Sequence, residues 1–372
     1  MNQFQTLKSD LTKSRIVDID STVIDDDEII VKIESYAFTA NNVTYGVAGD
    51  TIGYWKFFPA GHDEKNEWGC IPVWGFAEIT DSNVEGFNIG ERLFGYFPAA
   101  NSLTLKPTKI SYQSFTDGKE HRKELPPVYN TYIRLDGDQN YDASMDAIRA
   151  LLFPLHITAF CLCDALAEDA YFGASQIIII SASSKTAIGL AQGLADIDNS
   201  PKIIGLTSAR NTKFIESLGC YDQIISYDEL KNIDYSAGSI MVDMAGNREI
   251  LGKLHGELEG KMIKCLTVGM THWDNGTTAE DALGQAMLRE RTEFFFAPAH
   301  IQKRIGDWGH DVYAKKTNSF MAARAQQSKT WMQIKEIHGL ENFTSTYKEM
   351  VDGKINPSEG IIVNLADKRR IK

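Results

Sequence analysis

The sequence predicts an α/β protein in which a doubly wound parallel sheet is joined to a second, β-rich domain. The first indication is a run of four isoleucines at residues 177–180. Such a run cannot alternate between the faces of a sheet, so it favours a strand that is covered on both sides. The second indication is that short apolar segments recur after this run, each about one helix away from the next. The third is a region of short strand patterns, interrupted by Gly and Pro, over residues 1–142.

The other strands of the predicted parallel sheet follow the isoleucine run along the chain. They are expected at residues 202–207, 222–226, 239–243, 261–268 and 292–297. Residues 211–218 favour a helix that ends at Gly219, the residue type most common after a helix C-terminus. Because parallel strands joined by helices make right-handed crossovers, this order predicts a doubly wound sheet.

The β-rich domain is predicted from short strand patterns near the N-terminus. They lie at residues 28–34, 74–79 and 90–96, with the spacing of a barrel-like domain. A long apolar helix or a pair of helices over residues 143–167 then leads into the parallel sheet. The C-terminal segment, residues 331–365, is expected to hold a helix and a last strand that return to the β-rich domain.

The predicted domain ranges follow from these elements. The β-rich domain takes residues 1–142 with 310–372, and the parallel sheet takes residues 143–309. We expect the functional site in the cleft between the two domains, because domain interfaces favour ligand pockets. Residues 121–132 mix charges, two prolines and two tyrosines, and we expect a connecting loop with substrate contacts there.

Composition argues against several classes of protein. The 372 residues are enough for two domains with full cores. A formal charge of −12 argues against nucleic acid or an anionic membrane as a partner. No apolar run is expected to span a membrane, and residues 1–13 are too polar for a secretory signal. Five scattered cysteines fit buried thiols in a reducing compartment, so we expect a cytoplasmic protein.

The isoleucine strand leads into a turn of small residues and then a helix, which predicts a phosphate-binding turn. The amides at a helix N-terminus are unpaired, and the helix dipole favours an anion there. Hydroxyls and a cation are offered by Ser183, Ser184, Lys185 and Thr186, and Gly189 is the first glycine after the strand. We therefore predict a nucleotide site. The alternative is an α/β domain that binds no nucleotide.

The residues after the second strand predict NADP rather than NAD as the cofactor. An acidic residue there would bind the adenosine ribose hydroxyls and select NAD, but residues 206–213 contain none. Ser208, Arg210 and Lys213 instead suit the 2′-phosphate of NADP, because Arg can bind phosphate through two hydrogen bonds. The alternative is that the two cations only cover an exposed helix.

The order of these segments resembles that of a known superfamily. The matching segments are Val31-Lys-Ile, Phe38-Thr-Ala-Asn-Asn, residues 87–95, His156-Ile-Thr-Ala and residues 181–191. They are similar to the medium-chain dehydrogenase/reductases, on the zinc-free quinone oxidoreductase and enoyl reductase side, and to a branch known only as a domain of unknown function. The resemblance implies a Rossmann-like domain, a GroES-like barrel domain and NADPH-dependent reduction of a quinone, an activated double bond or a carbonyl.

The phosphate-binding turn departs from the superfamily pattern. Members of the superfamily carry several glycines there, which let the backbone approach the pyrophosphate. This chain has Ser184, Thr186 and Ala187 at those positions. We expect side-chain hydroxyls and Lys185 to replace some of the backbone contacts.

The resemblance also implies the catalytic residues. In zinc-free relatives an Asn and nearby hydroxyls face the nicotinamide and the substrate, and Asn41 takes that place here. Tyr45 or Tyr54 would donate to the acceptor oxygen, since a tyrosine is neutral at pH 7 yet acidic enough to share its proton. The alternative is that these aromatic residues only line an apolar pocket. Thr158, near the expected helix start, and Gly269, after the fifth strand, complete the predicted cofactor contacts.

Zinc is not expected in this chain. Cys161 and Cys163 are too close in sequence for a structural site, and His62 and Cys70 do not stand where the resemblance places a ligand. The expected partners are a small-molecule substrate and a second copy of the chain as a homodimer, without nucleic acid or membrane. The alternative function is a non-catalytic relative that binds a nucleotide or a partner without turnover.

Overall fold

The computed structural model describes residues 1–19, 24–139, 141–268 and 289–366. Within these ranges the strands are β1 (Asn2–Leu7), β2 (Asp10–Asp18), β3 (Ile29–Phe38), β4 (Trp68–Gly69), β5 (Pro72–Ser82), β6 (Arg92–Pro98), β7 (Ser102–Leu105), β8 (Pro107–Thr108), β9 (Ser114–Asp117), β10 (Thr131–Arg134), β11 (Gln176–Ile180), β12 (Lys202–Thr207), β13 (Gln223–Ser226), β14 (Ser239–Asp243), β15 (Met262–Thr267), β16 (Thr292–Phe294), β17 (Gln333–His338) and β18 (Glu359–Asn364). The α-helices are α1 (Ala40–Val47), α2 (Asp146–Glu168), α3 (Lys185–Ala195), α4 (Thr212–Leu218), α5 (Arg248–Leu258), α6 (Ala297–Trp308), α7 (His310–Ser328) and α8 (Leu340–Val351).

The chain divides into two compact units. Residues 1–151 with 333–372 form one, the β unit, and residues 152–332 form the other, the parallel-sheet unit. Residues 310–332 were expected in the β-rich domain but belong to the parallel-sheet unit. The reason is that α7 packs on α3: a Cβ placed on Gly193 would lie 2.6 Å from the Phe320 ring.

The parallel-sheet unit contains the predicted doubly wound sheet, and this part of the fold prediction is confirmed. Its strand order is β13-β12-β11-β14-β15-β16, with every pair parallel. The isoleucine strand β11 is central, as its pattern predicted. Ile177 and Ile179 pack with α2 and α3 on one face, whereas Ile178 and Ile180 pack with α5 on the other. All four are fully buried, and each contributes roughly 1.5–3 kcal/mol to stability.

The β unit is built from two sheets. The larger has the order β17-β18-β3-β5-β6-β10-β9-β8, with β7 also paired to β3, and the smaller has the order β2-β1-β4. All these pairs are antiparallel except β17 with β18. The C-terminal elements complete this core, because the Phe343 ring of α8 packs 4.9 Å from both Phe4 and Phe38.

Helix α2 corrects the expectation that no apolar run is long enough to span a membrane. Within the described ranges, the segment Ala143–Glu168 is long and apolar enough, by length and composition, to cross a membrane. However, 61% of its most apolar part is buried inside the protein. Leu162 and Leu166 are fully buried in the core beside β11 and α3. A core helix has the same composition, and the packing here is that of a core helix.

Candidate functional site

The carboxyl ends of the central parallel strands meet at one edge of the sheet. Ile180 of β11 is in register with Leu206 of β12 and with Asp243 of β14, which in turn faces Thr267 of β15. The predicted phosphate-binding turn follows β11 directly at this edge. Ligands of doubly wound sheets bind at such strand ends, so this edge is a candidate cofactor site.

The turn after β11 is held by bonds to neighbouring strands rather than shaped by glycine. Ser181 has a φ of 63°, in the left-handed region that glycine usually occupies. Its amide donates to the Tyr227 hydroxyl at 3.0 Å. The Ala182 amide donates to the Leu206 carbonyl at 2.8 Å, and the Tyr221 hydroxyl donates to the Ala182 carbonyl at 2.9 Å. These three hydrogen bonds hold Ser181 in a backbone conformation that a glycine adopts without strain.

The two predicted serine ligands both take part in this network. Ser183 Oγ accepts from the Thr207 hydroxyl at 3.3 Å and from the Asn211 amide at 3.1 Å. Ser184 caps α3, because its Oγ accepts from the Ala187 amide at 3.2 Å. A serine hydroxyl that accepts still carries a proton of its own, so each can also donate to an anion.

Lys185 and Thr186 form the first turn of α3 and are half-buried. That turn contains no acidic residue, so the lysine cation is not opposed by a carboxylate from its own helix turn. The 11-residue helix places the positive end of its dipole at this point. The donor set of the turn, with hydroxyls, amides and one cation, suits a phosphate group.

Two predicted cofactor residues have structural partners away from the turn. Gly189 lies one turn into α3, where an added Cβ would meet His156 at 3.1 Å and Ala159 at 3.2 Å. The absence of a side chain therefore lets α3 pack closely on α2, while the cofactor role of Gly189 stays a prediction. Thr158 is not near a helix start, because α2 begins at Asp146, and its hydroxyl donates to the Pro154 carbonyl at 2.9 Å. Gly269 lies outside the described residues.

The cation set predicted for a 2′-phosphate follows β12. Arg210 and Lys213 are exposed, and Ser208 is half-buried. The Asn211 side chain in the middle of this segment donates to Ser183 of the phosphate-binding turn. The structure thus brings the turn and the segment Ser208–Lys213 into contact at the same sheet edge.

Sequence reasoning missed Asp243 at this edge. The carboxylate ends β14, is fully buried and accepts from the amides of Ala245 at 3.0 Å and Gly246 at 2.8 Å. Burial raises the pKa of Asp243 to about 6, and the two amide hydrogen bonds only partly oppose this. The sequence could have indicated this residue, since an acidic residue follows three apolar residues at the predicted end of the strand 239–243.

A separate candidate group is a cluster of tyrosines in the β unit. The rings of Tyr45 and Tyr54, the predicted donors, pack at a tilt of 38° with centroids 4.5 Å apart. Tyr129 lies 5.8 Å from Tyr54 and 4.8 Å from Tyr96, whose ring is 5.2 Å from Trp74. All five rings are buried. Tyr129, Tyr96 and Trp74 come from separate parts of the chain, so sequence spacing did not reveal them.

The hydroxyls of this cluster are neutral at physiological pH. Burial raises the pKa of Tyr45, although interactions with the side chains of Trp74 and Asn41 oppose the rise. Burial also raises the pKa of Tyr54, whose hydroxyl oxygen lies 3.2 Å from that of Tyr129. Asn41 is half-buried at the start of α1. The structure therefore brings the predicted Asn and tyrosine donors together in one unit.

The stretch 121–132, expected as a connecting loop, is anchored in the β unit by a buried arginine. Arg122 is 1% exposed and lies 2.9 Å from the Asp117 carboxylate, which is also buried. Its guanidinium donates to Asn130 Oδ1 at 3.0 Å and to the Tyr132 hydroxyl at 3.2 Å. The segment is a connecting loop with short 3-10 turns, as expected, in which Arg122 is buried while His121 and Lys123 are exposed.

No metal-binding group is found in the described ranges. Among these residues, no three His, Cys, Asp or Glu side chains are placed to hold a metal ion. Cys70, Cys161 and Cys163 are buried free thiols, as are Cys220 and Cys265. Burial raises the pKa of the Cys70 thiol to about 12, so it is protonated at neutral pH.

The chain belongs to the family described as "Protein of unknown function (DUF2855)", which matches residues 36–356. No curated protein sequence matches the chain. The comparison with sequences therefore gives a family but no activity.

Solved structures of similar fold cover nearly the whole chain. CurA from Vibrio vulnificus, in complex with NADPH, has a TM-score of 0.60 at 12% identity and covers 99% of this chain and 100% of its own. The quinone oxidoreductase from Coxiella burnetii has a TM-score of 0.55 at 13% identity, covering 98% and 99%. The Haloferax mediterranei glucose dehydrogenase, in complex with NADP, Zn and gluconolactone, has a TM-score of 0.55 at 11% identity, covering 99% and 100%.

These likenesses confirm the fold prediction, with a Rossmann-like sheet domain and a GroES-like β-rich domain. The family match also confirms the expected relation to a branch known only as a domain of unknown function. At such low identity the similarity is one of fold. One of the three structures contains zinc, so the fold alone does not decide whether a metal is used.

Proposed function

We propose that this chain is a zinc-independent, NADP-dependent oxidoreductase that reduces a quinone, an activated double bond or a carbonyl. The observation that carries the proposal is the contact between Asn211 and Ser183, at 3.1 Å. It joins the phosphate-binding turn to the segment with Arg210 and Lys213. A single dinucleotide would therefore meet pyrophosphate donors and 2′-phosphate cations side by side.

The residues assigned to the cofactor are those whose chemistry suits phosphate. Ser183, Lys185 and Thr186 would hold the pyrophosphate, with the N-terminus of α3 behind them. Arg210 and Lys213 would hold the 2′-phosphate. The reduced nicotinamide supplies a hydride when it is bound. Two similar folds described above are complexes with NADPH or NADP, which supports this choice.

The acceptor would be reduced beside the tyrosine cluster. A tyrosine kept neutral by burial can donate a hydrogen bond to a carbonyl or quinone oxygen and stabilise the negative charge that develops there. Tyr45 and Tyr54 are assigned this role, and Asn41 orients the acceptor or the ribose. The apolar rings around them exclude water, which strengthens these interactions. Zinc independence is supported by the lack of a three-residue ligand group within the described ranges.

The cofactor assignment is tested by thermal-shift titration with NADPH and NADH. Arg210→Glu should weaken NADPH far more than NADH, because it replaces a cation with a charge that repels the 2′-phosphate. Lys185→Ala should weaken both, since the pyrophosphate is common to the two. Lys202→Glu is the matched control, since Lys202 is an exposed cation at the opposite, amino end of β12. Equal losses for both cofactors in Arg210→Glu would contradict the assignment.

The reaction is tested by screening quinones, enones and aldehydes for NADPH oxidation. With any active acceptor, loss of the true donor in Tyr45→Phe or Tyr54→Phe should lower turnover on the order of a hundredfold. A residue that only lines the pocket should mainly raise KM. Clear NADPH binding without turnover for any acceptor would instead favour a non-catalytic relative.

We also propose that the protein acts in the cytoplasm, since its five cysteines are buried free thiols. A homodimer is the expected assembly, and sedimentation of the purified chain would test it. A monomeric mass would remove that expectation without affecting the proposed reaction.

A further inference from the structure

We propose that Tyr129 is a positioning residue for the reduction, because its hydroxyl orients the Tyr54 hydroxyl and stabilises the phenolate that proton donation leaves on Tyr54. This inference rests on the proposed function and assigns its proton donor to Tyr54 rather than Tyr45. It concerns two residues of the β unit that lie 75 positions apart in sequence.

The two hydroxyls form a closed pair. The oxygen of Tyr54 lies 3.2 Å from the oxygen of Tyr129, and either can donate to the other. The rings are nearly perpendicular, at 80°, with Phe57 packed 5.3 Å from the Tyr129 ring. Tyr54 is 6% exposed and Tyr129 9% exposed, so water competes little for either hydroxyl. A hydrogen bond in such surroundings is stronger than the same bond in water.

A buried ion pair fixes the segment that carries Tyr129. Arg122 donates to the Tyr129 carbonyl at 3.2 Å and to Asn130 Oδ1 at 3.0 Å. Asn130 returns a bond from Nδ2 to the Arg122 carbonyl at 2.7 Å. The guanidinium is in turn held beside the Asp117 carboxylate. A buried arginine used in this way sets the backbone of residues 129–130, and therefore the position of the Tyr129 ring.

The pair changes the proton chemistry of the reduction as follows. Carbonyl reduction adds a hydride to the acceptor carbon and a proton to its oxygen. The C=O double bond becomes a C–O single bond, and a C–H and an O–H bond form. The hydride is that of the proposed NADPH, and the proton comes from the Tyr54 hydroxyl. Tyr129 then donates its hydrogen bond to the Tyr54 phenolate, and a proton from solvent restores Tyr54 after the product leaves. The negative charge of the Tyr54 phenolate would be unpaired in its buried surroundings, and the hydrogen bond from Tyr129 stabilises it.

A double-variant cycle on stability tests the pair without any activity. Urea unfolding is measured for Tyr54→Phe, Tyr129→Phe and the double variant. If the hydroxyls bond to each other, the double variant loses less stability than the two single losses combined. Tyr36→Phe is the matched control, because the Tyr36 hydroxyl is fully buried and has no hydrogen-bond partner among the described residues. Strictly additive losses would overturn the inference.

The same variants then test the role in turnover. Tyr129→Phe should lower kcat about tenfold, which corresponds to about 1.4 kcal/mol, while KM and the NADPH thermal shift stay unchanged. The double variant should be no slower than Tyr54→Phe alone, since Tyr129 acts only through Tyr54. The role of Tyr129 would be refuted, without affecting the proposed reaction, by either of two results. One is a double variant whose loss of kcat equals the product of the two single losses, and the other is an equal loss of kcat in Tyr36→Phe. Coupled stability without turnover for any acceptor would refute the proposed reduction, and this role with it.

Discussion

Replacing Asp243 by asparagine removes a buried carboxylate while keeping an acceptor oxygen for the turn that follows β14. The carboxylate is fully buried, and burial raises its pKa from the ordinary 3.8 to about 6. Below pH 3.8 the group is protonated in both the folded and the unfolded chain. Between pH 3.8 and 6 the unfolded chain releases its proton first, so rising pH favours unfolding. Above pH 6 the loss of stability is constant.

The size of this effect follows from the pKa difference. At about 1.36 kcal/mol for each pH unit, a pKa near 6 instead of 3.8 corresponds to about 3 kcal/mol of stability over the whole titration, of which about 2.5 kcal/mol is lost between pH 4 and pH 7. Asp243→Asn has no such titration. The free energy of unfolding of the variant, minus that of the natural chain, should therefore rise by about 2.5 kcal/mol between pH 4 and pH 7.

The assay is urea unfolding at several pH values across this range. Comparing variant with natural chain cancels the titration of all other groups, provided that their surroundings are unchanged. Asp228→Asn, which removes an exposed carboxylate of the same unit, is the control for the loss of one negative charge. If the Asp243→Asn curve runs parallel to that of the natural chain, the carboxylate is not destabilised by burial and the reasoning fails.

Three substitutions test the packing and the ion pair by urea unfolding. Gly193→Ala should destabilise the fold by roughly 1–3 kcal/mol, because the added Cβ would lie 2.6 Å from the Phe320 ring; no loss would mean that α7 packs elsewhere. Gly256→Ala, in α5 with nothing within 4 Å of the added Cβ, should instead stabilise by up to about 1 kcal/mol, and a loss there would contradict the open surroundings. Arg122→Met should cost about 3–5 kcal/mol, since Asp117 stays buried without its cation, and a loss below about 1 kcal/mol would show that the Lys106 amide, which donates to this carboxylate at 2.8 Å, is enough to stabilise it.

The sequence predicted those features for which the side-chain pattern has one structural cause. Four successive isoleucines require cover on both faces of a strand, and β11 has it. Gly219 ends α4 in the left-handed conformation, with a φ of 65°, as expected for a helix C-terminus. Ser183 and Ser184 lie at the sheet edge because the turn that holds them directly follows the carboxyl end of β11.

A single sequence could not predict the role of residue types that serve either of two structural purposes. A glycine beside a phosphate-binding turn can serve the ligand or helix packing, and Gly189 serves packing against His156. A run of charges is usually exposed, yet Arg122 is buried, and Asp117 on the preceding strand β9 supplies its counter-charge. Strand β17 was missed because most of its residues are exposed, which leaves no alternating apolar pattern to detect.

The glycine-poor turn after β11 has a consequence for the thermodynamics of ligand binding. Its backbone is held by Tyr227, Leu206 and Tyr221 before any ligand arrives. The conformational entropy of ordering it is thus lost during folding rather than during binding. A ligand at this edge would meet a rigid, positively charged surface, so its affinity should depend steeply on salt concentration. Glycine-rich turns can leave part of this ordering to the moment when the ligand binds.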